Sequence, residues 1–158
     1  DWSLAPGEVG AIVEPGHMFE WVWLLRWYER LMDCDTSDYC NALWHKGLAI
    51  GLDTAGLIYD QVDADGKVLA ATKRLWPLTE LIKAGVVQAK AGIEGAEAVA
   101  QKALEDLQRY YLTTPVPGVY LDKLGANNEV VDDGAPASTL YHLVVAAIEA
   151  HNYVYPKV

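Results

Sequence analysis

His17 and Glu20 stand three residues apart in the run Glu14-Pro15-Gly16-His17-Met18-Phe19-Glu20-Trp21. On a helix that spacing puts both side chains on one face. Pro15 sits where a first helical turn tolerates proline, so the pair belongs to the start of a helix. The helix N-terminus disfavours a cationic imidazole while Glu20 favours one. A histidine under such opposing influences suits general-base work. The same residues also fit a buried histidine satisfied by a carboxylate, or a capping arrangement. A second run is Lys73-Arg74-Leu75-Trp76-Pro77-Leu78-Thr79-Glu80. Arg74 can polarise a carbonyl or pair with a carboxylate, and Trp76 can stack on a sugar face. A capping cluster with a structural ion pair explains them equally well. The third run, Pro136-Ala137-Ser138-Thr139-Leu140-Tyr141-His142, carries His142 on the second turn of an apolar helix. By itself such a histidine reads as a satisfied core residue.

Helices must position these groups. Residues 1–13 read as an extended entry. A first helix follows from about His17 to Met32, apolar almost all round, which predicts burial on most sides. Ser37 or Asp38 caps a second helix to about Gly51. Leu57-Ile58-Tyr59 and Lys67-Val68-Leu69 flank Asp65-Gly66, a hairpin signal. Asp60, Asp63 and Asp65 resemble a calcium loop only loosely, because the later glutamate ligand is missing. Pro77 opens a third helix to roughly Ala91. Glu94 starts a fourth, ending near Leu112, and Thr113–Gly118 breaks the chain. Residues 119–134 form a second hairpin-like segment around Gly125-Ala126-Asn127-Asn128. Pro136 opens a fifth helix to about His151, capped by Asp132 or Asp133. The expected class is all-α with short β-hairpins, one domain over residues 1–158.

Composition narrows the partners. Hydrophobic residues make up 52% of the chain and charged residues 22%, which excludes a disordered segment. The net charge of −10 argues against nucleic acid and anionic membrane, both of which need a basic surface. No apolar run is long enough to span a bilayer. Asp1-Trp2-Ser3-Leu4 is no basic-then-apolar signal peptide, and the missing starting Met suggests a piece of something longer. Cys34 and Cys40 are too few for a disulfide framework, so two free thiols in a reducing, cytoplasmic setting are expected. Six Trp and nine Tyr against one Phe favour residues with an apolar face and a polar edge, as sugar clefts use and as helical cores also use.

Taken in order, Glu-Pro-Gly-His-x-x-Glu-Trp, Lys-Arg-Leu-Trp-Pro-x-Thr-Glu and Pro-Ala-Ser-Thr-Leu-Tyr-His closely resemble the N-acylglucosamine 2-epimerase and mannose isomerase family. The resemblance runs from about Val9 to His151. It implies the C-terminal part of an (α/α)6 barrel, two concentric rings of helices around a central pocket. It implies His17 and His142 as proton-moving groups at the sugar's C1–C2 unit, and Glu20 as the carboxylate that positions substrate and the neighbouring histidine. Arg74 and Trp76 match pocket-lining positions, and Glu80, Trp21 and Tyr141 join them as expected substrate-binding residues. No metal or cofactor is implied. Further pocket groups belong to an N-terminal half absent from this chain. Pro77 replaces a second Trp of the cellobiose 2-epimerase branch, which leans towards monosaccharides. Tyr120 stands where Trp is frequent. The leading expectation is thus a sugar isomerase or 2-epimerase with a mannose-type substrate. The alternative is an incomplete barrel that binds or self-assembles, as a homo-oligomer or with a missing N-terminal half. A third reading, hydrolase chemistry, would use Glu20 with Asp122.

Overall fold

The computed structural model describes residues 3, 5–132 and 134–156. Five helices carry the chain: α1 (Pro15–Met32), α2 (Ser37–Gly51), α3 (Leu75–Lys90), α4 (Ala96–Leu107) and α5 (Ala137–Val154). α4 runs on into one π-helical turn, Gln108–Leu112. α1 packs on α2 and α3 packs on α4, while α3 also lies against α1 and α5. The core gathers Phe19 and Val22 of α1, Trp44 of α2, Leu75, Leu78, Leu81 and Ile82 of α3, Leu107 of α4 and Tyr111 beyond it.

Two small sheets occupy the connections. Strand β1 (Gln61–Val62) pairs antiparallel with β2 (Val68–Ala70). The turn at Asp65-Gly66 is where the dipeptide predicts it, but the first strand starts later than Leu57-Ile58-Tyr59. Leu57 and Ile58 are core residues instead, with Leu57 fully buried. Asp63 accepts from the amides of Asp65 and Lys67, which closes the turn. The second sheet has order β3-β4-β5, with β3 (Lys73–Arg74), β4 (Lys123–Leu124) and β5 (Val130–Asp132). β3 was unforeseen. Its pairing with β4 brings Arg74 opposite Lys123 and joins the second motif to the segment before α5. The entry is not simply extended: Gly7–Ala11 makes a 3-10 turn, and Val13 then bridges Val62. Asp1, Trp2, Leu4, Asp133 and the Asp132 side chain lie outside the described residues, so the expected cap of α5 falls there. Pro136 holds the N-cap position.

The first helix departs from its expected burial. Trp21, Leu24, Trp27, Tyr28, Leu31 and Met32 are exposed, and of its apolar residues only Pro15, Gly16, Phe19 and Val22 are buried. α3 is the helix enclosed on nearly every side, from Leu75 to Gln88. Periodicity misassigns the two because α3 carries Glu80, Lys83 and Gln88, residues that reach a core only when paired. Here each finds a partner on a neighbouring helix or on its own. Gln88 accepts from Arg26 Nε at 2.8 Å and donates to Asn41 at 3.1 Å. No helix among the described residues is long and apolar enough to cross a membrane. Cys34 is an exposed free thiol and Cys40 a buried one.

A buried lysine fastens β3 to the loop after α2 and to the turn between β4 and β5. Lys73, with no exposed surface, pairs with Asp53 at 3.2 Å and donates to the carbonyl of Ala126 at 3.0 Å. Tyr111, in the π turn, donates its hydroxyl towards the carbonyls of Lys73 and Arg74. Burial alone would raise the Asp53 carboxyl. The amides of Leu57 and Ala55 and the Lys73 ammonium outweigh it, and hold the group below the usual carboxylate range. A carboxyl depressed by folding stabilises above its unfolded value, and that share is lost as pH falls through its folded value. Urea midpoints should therefore drop as the pH falls below about 4, and Asp53→Asn should flatten that drop while lowering the plateau at neutral pH.

Candidate active site

The three motifs converge on one open cleft of ≈ 410 Å³, lined by His17, Glu20, Arg74, Trp76, Asp122, Pro136, Ser138, Thr139, Tyr141 and His142. α1 supplies the first two, the head of α3 supplies Trp76, and α5 supplies the histidine and tyrosine. The Trp76 indole is the hinge between them. Its ring lies 5.0 Å from the imidazole of His17 and 5.4 Å from that of His142. Tyr141 stacks on His142 at 3.9 Å. Burial, then the charges of Glu20 and Glu80, pushes the Tyr141 phenol up, so it remains a hydroxyl donor at neutral pH.

Each histidine has one ring nitrogen held by a carboxylate. His142 Nδ1 lies 2.6 Å from Glu80 Oε1, in a fully buried contact on the glutamate side. His17 Nδ1 lies 2.9 Å from Glu14 Oε2. A carboxylate only accepts, so Nδ1–H is the donor in both pairs, and Nε2 is the nitrogen left for the cleft. The partner of His17 is therefore Glu14 and not Glu20. The physical reason is the helix start: Glu14 occupies the N-cap in an extended conformation, and its side chain folds back on the residue three further on. Glu20 stands in the cleft wall one turn along. The His17–Glu14 pair is not buried, since the His17 side chain is 53% exposed.

Arg74 is held from two sides. Its Nε donates to Asp60 Oδ1 at 2.9 Å, and its guanidinium is 3.7 Å from Glu14. Asp60 also accepts from the Arg74 amide and from the Thr72 hydroxyl, so this aspartate works for the cleft rather than for a cation loop. Arg74 also lies over the Trp76 ring at 5.4 Å. Asp122 accepts from Thr139 at 2.8 Å, which pins the wall next to α5. Tyr120 stays out of the cleft and donates its hydroxyl to the carbonyl of Pro136 at 2.6 Å, bracing the start of α5.

Two expected substrate contacts fall elsewhere. Trp21 is 54% exposed on α1 and does not line the cleft. Glu80 is wholly buried behind His142, out of reach of an occupant. A one-residue error of face explains Trp21, because it lies about 100° around the helix from Glu20. Glu14 and Asp60 are the residues sequence reasoning missed as site builders. Glu14 had a signal, the same three-residue spacing to His17 that drew attention to Glu20. Asp60 had none, because its contact with Arg74 crosses a hairpin.

Gly16 lets the indole in. A Cβ there would stand 2.7 Å from Trp76 Cη2 and 2.9 Å from the side chain of Pro77. Gly16→Ala should displace Trp76 and cost about 1–3 kcal/mol, the range for overpacking a filled site. A changed near-ultraviolet circular dichroism with a lowered urea midpoint is the expected result. An unchanged spectrum would show that the indole does not sit against α1.

A half-ring of paired helices with a cleft at one end, where the connections meet, is the architecture of a partial (α/α)6 barrel. The chain belongs to the N-acylglucosamine 2-epimerase (GlcNAc 2-epimerase) family, which residues 1–146 match. It is 43% identical over 157 residues to the mannose-6-phosphate isomerase of Rhizobium meliloti (strain 1021), covering 94% of this chain and 40% of that protein. Among solved structures, a D-mannose isomerase superposes with a TM-score of 0.78 at 23% identity, over 87% of this chain and 36% of the other. The cellobiose 2-epimerase of Bacillus thermoamylovorans B4167 gives 0.80 at 12% identity, over 90% and 40%. The chain thus spans about two fifths of the length of these relatives, and the structures bear out the expected fold.

Proposed function

We propose that this chain forms the histidine-bearing part of a sugar isomerase or 2-epimerase acting on a mannose- or N-acylglucosamine-type hexose. The observation that carries the reading is the pair of imidazoles flanking Trp76, each with Nδ1 held by a carboxylate and Nε2 left free. A C–H next to a carbonyl is a weak acid, so it needs a base at carbon and a donor at the carbonyl oxygen. One Nε2 takes the C2 proton of the open-chain aldose. The electron pair moves into C1–C2, and the C1 oxygen gains a proton from Nε2 of the other imidazole, which enters this step as imidazolium. Return of a proton to C1, with loss of the O2 proton, yields the ketose. Return to the opposite face of C2, with loss of the O1 proton, yields the epimer. Glu20, Arg74 and Tyr141 offer an acceptor, a cation and a hydroxyl for the sugar oxygens, and Trp76 a face for its carbons. Measuring turnover of mannose, glucose and N-acetylmannosamine by the purified chain tests the reading. Conversion of a hexose with solvent deuterium entering C1 or C2 is expected. Turnover with no isotope uptake would replace proton transfer through solvent-exchanging groups by another mechanism.

A second reading rests on the apolar stripes left open on both flanks. Trp21, Leu24, Tyr28 and Leu31 form one on α1, and Leu140, Tyr141, Val144 and Ile148 another on α5. Apolar faces of that extent invite partners. The chain is accordingly proposed to self-associate or to pair with further helices of a barrel. Light scattering at micromolar concentration should report a species larger than the monomer, and a strict monomer would count against it. Its free thiols, one exposed, support a reducing compartment such as the cytoplasm.

A further inference from the structure

Behind the cleft, three ionisable side chains stand in line through the core: His142, Glu80 and Lys83. Glu80 Oε1 is 2.6 Å from His142 Nδ1, and Glu80 Oε2 is 2.7 Å from Lys83 Nζ. Glu80 has no exposed surface and the Lys83 side chain is 3% exposed. The Lys83 ammonium also lies 4.1 Å from the centre of the Trp23 ring. Oε2 has no hydrogen-bonded partner, so the ion pair is what compensates its burial. Residues three apart on α3 share a face, which is how Lys83 reaches the carboxylate from the side opposite the histidine.

We propose that Lys83 is a positioning residue of this site, which holds Glu80 as a carboxylate and thereby keeps His142 neutral with its Nε2 free. The inference rests on His142 being the proton-moving group described above. A buried glutamate and histidine alone balance their charge as carboxylate and imidazolium, with both ring nitrogens protonated and no base available. With Lys83 present, the carboxylate is already balanced. The cluster then carries no net charge when His142 is neutral, and one positive charge only while it holds a proton. Burial makes that difference count, since an uncompensated charge there is expensive. The other charged groups around His142 are Glu20 and His17 from α1, Arg74 at the head of α3, and Asp122 before β4. All of these line the open cleft, where solvent screens them.

Imidazole nitrogen-15 NMR of the sugar-free chain at neutral pH tests this. In the wild type, His142 should show a protonated Nδ1 and an unprotonated Nε2. In Lys83→Met the Nε2 signal should move to that of a protonated nitrogen, and Lys83→Arg should restore the wild-type pattern. A folded Lys83→Met protein with unchanged His142 signals overturns the proposal. Should Lys83→Met not fold, lysine nitrogen-15 spectra of the wild type decide: a Lys83 ammonium is required, and a neutral amine overturns it. Where the chain turns sugar over, Lys83→Met should lower kcat with KM held and move the rise in rate to higher pH. A chain without turnover would defeat the isomerase reading and leave the NMR outcome standing on its own.

Discussion

Replacing His142 with alanine is expected to lower solvent deuterium uptake at C2 of mannose by about 10²–10⁴, the usual worth of a positioned acid–base group. The side chain is mostly buried, touches Trp76 and Tyr141, and has Nδ1 committed to Glu80. A free base in water lacks all three constraints. The substitution leaves the Glu80–Lys83 ion pair in place, so folding should survive with a lowered melting temperature. His17→Ala should bring a loss of the same order at almost no cost in stability, because that side chain is half exposed and its contacts lie at the cleft mouth. Wild-type-like deuterium uptake by the folded His142→Ala protein would remove His142 from the chemistry.

Arg26→Ala should cost about 3–5 kcal/mol, the scale of a buried ion pair broken from one side. Arg26 is nine-tenths buried and ties three helices. Its Nε donates to Gln88 on α3, one terminal nitrogen pairs with Glu29 at 3.0 Å, and the same nitrogen donates to Ser37 at the start of α2. Burial alone would raise Glu29, yet the bonds from Arg26 and Thr36 hold it below the usual carboxylate range. Loss of Arg26 leaves the Glu29 carboxylate with the Thr36 bonds but no cation, and leaves the buried Gln88 oxygen without its donor. Urea unfolding measures the effect. A loss under about 1 kcal/mol would reduce the network to the worth of a surface pair. The consequence reaches the cleft, because the register of α1 against α3 sets where His17 stands relative to Trp76.

The helices were legible where punctuation was strong. Pro15, Pro77 and Pro136 each lie within two residues of an observed start, and Asp65-Gly66 marks an observed turn. Burial was not legible to the same degree. α1 carries the more apolar stretch and is open on one side, while α3 carries three polar residues and is enclosed. Hydrophobic pattern records what a helix can bury, and the neighbours present decide what it does bury. The π-helical turn at Gln108–Leu112 is another such case. Its residues read as helix, and only the packing of Tyr111 under β3 shows why the last turn widens there.

The sequence by itself determined the five helices, the family resemblance and, through that resemblance, the six cleft residues His17, Glu20, Arg74, Trp76, Tyr141 and His142. Tertiary structure alone decided the partners. Glu14 rather than Glu20 holds His17, Asp60 holds Arg74, and Glu80 leaves the expected binding set to stand behind His142 with Lys83. The reason is physical. Spacing along one helix specifies which side chains share a face, but a hydrogen bond is chosen by direction and burial across elements. Two of these pairings, Asp60–Arg74 and Glu80–His142, span a dozen residues or more of chain, and no local pattern encodes those two.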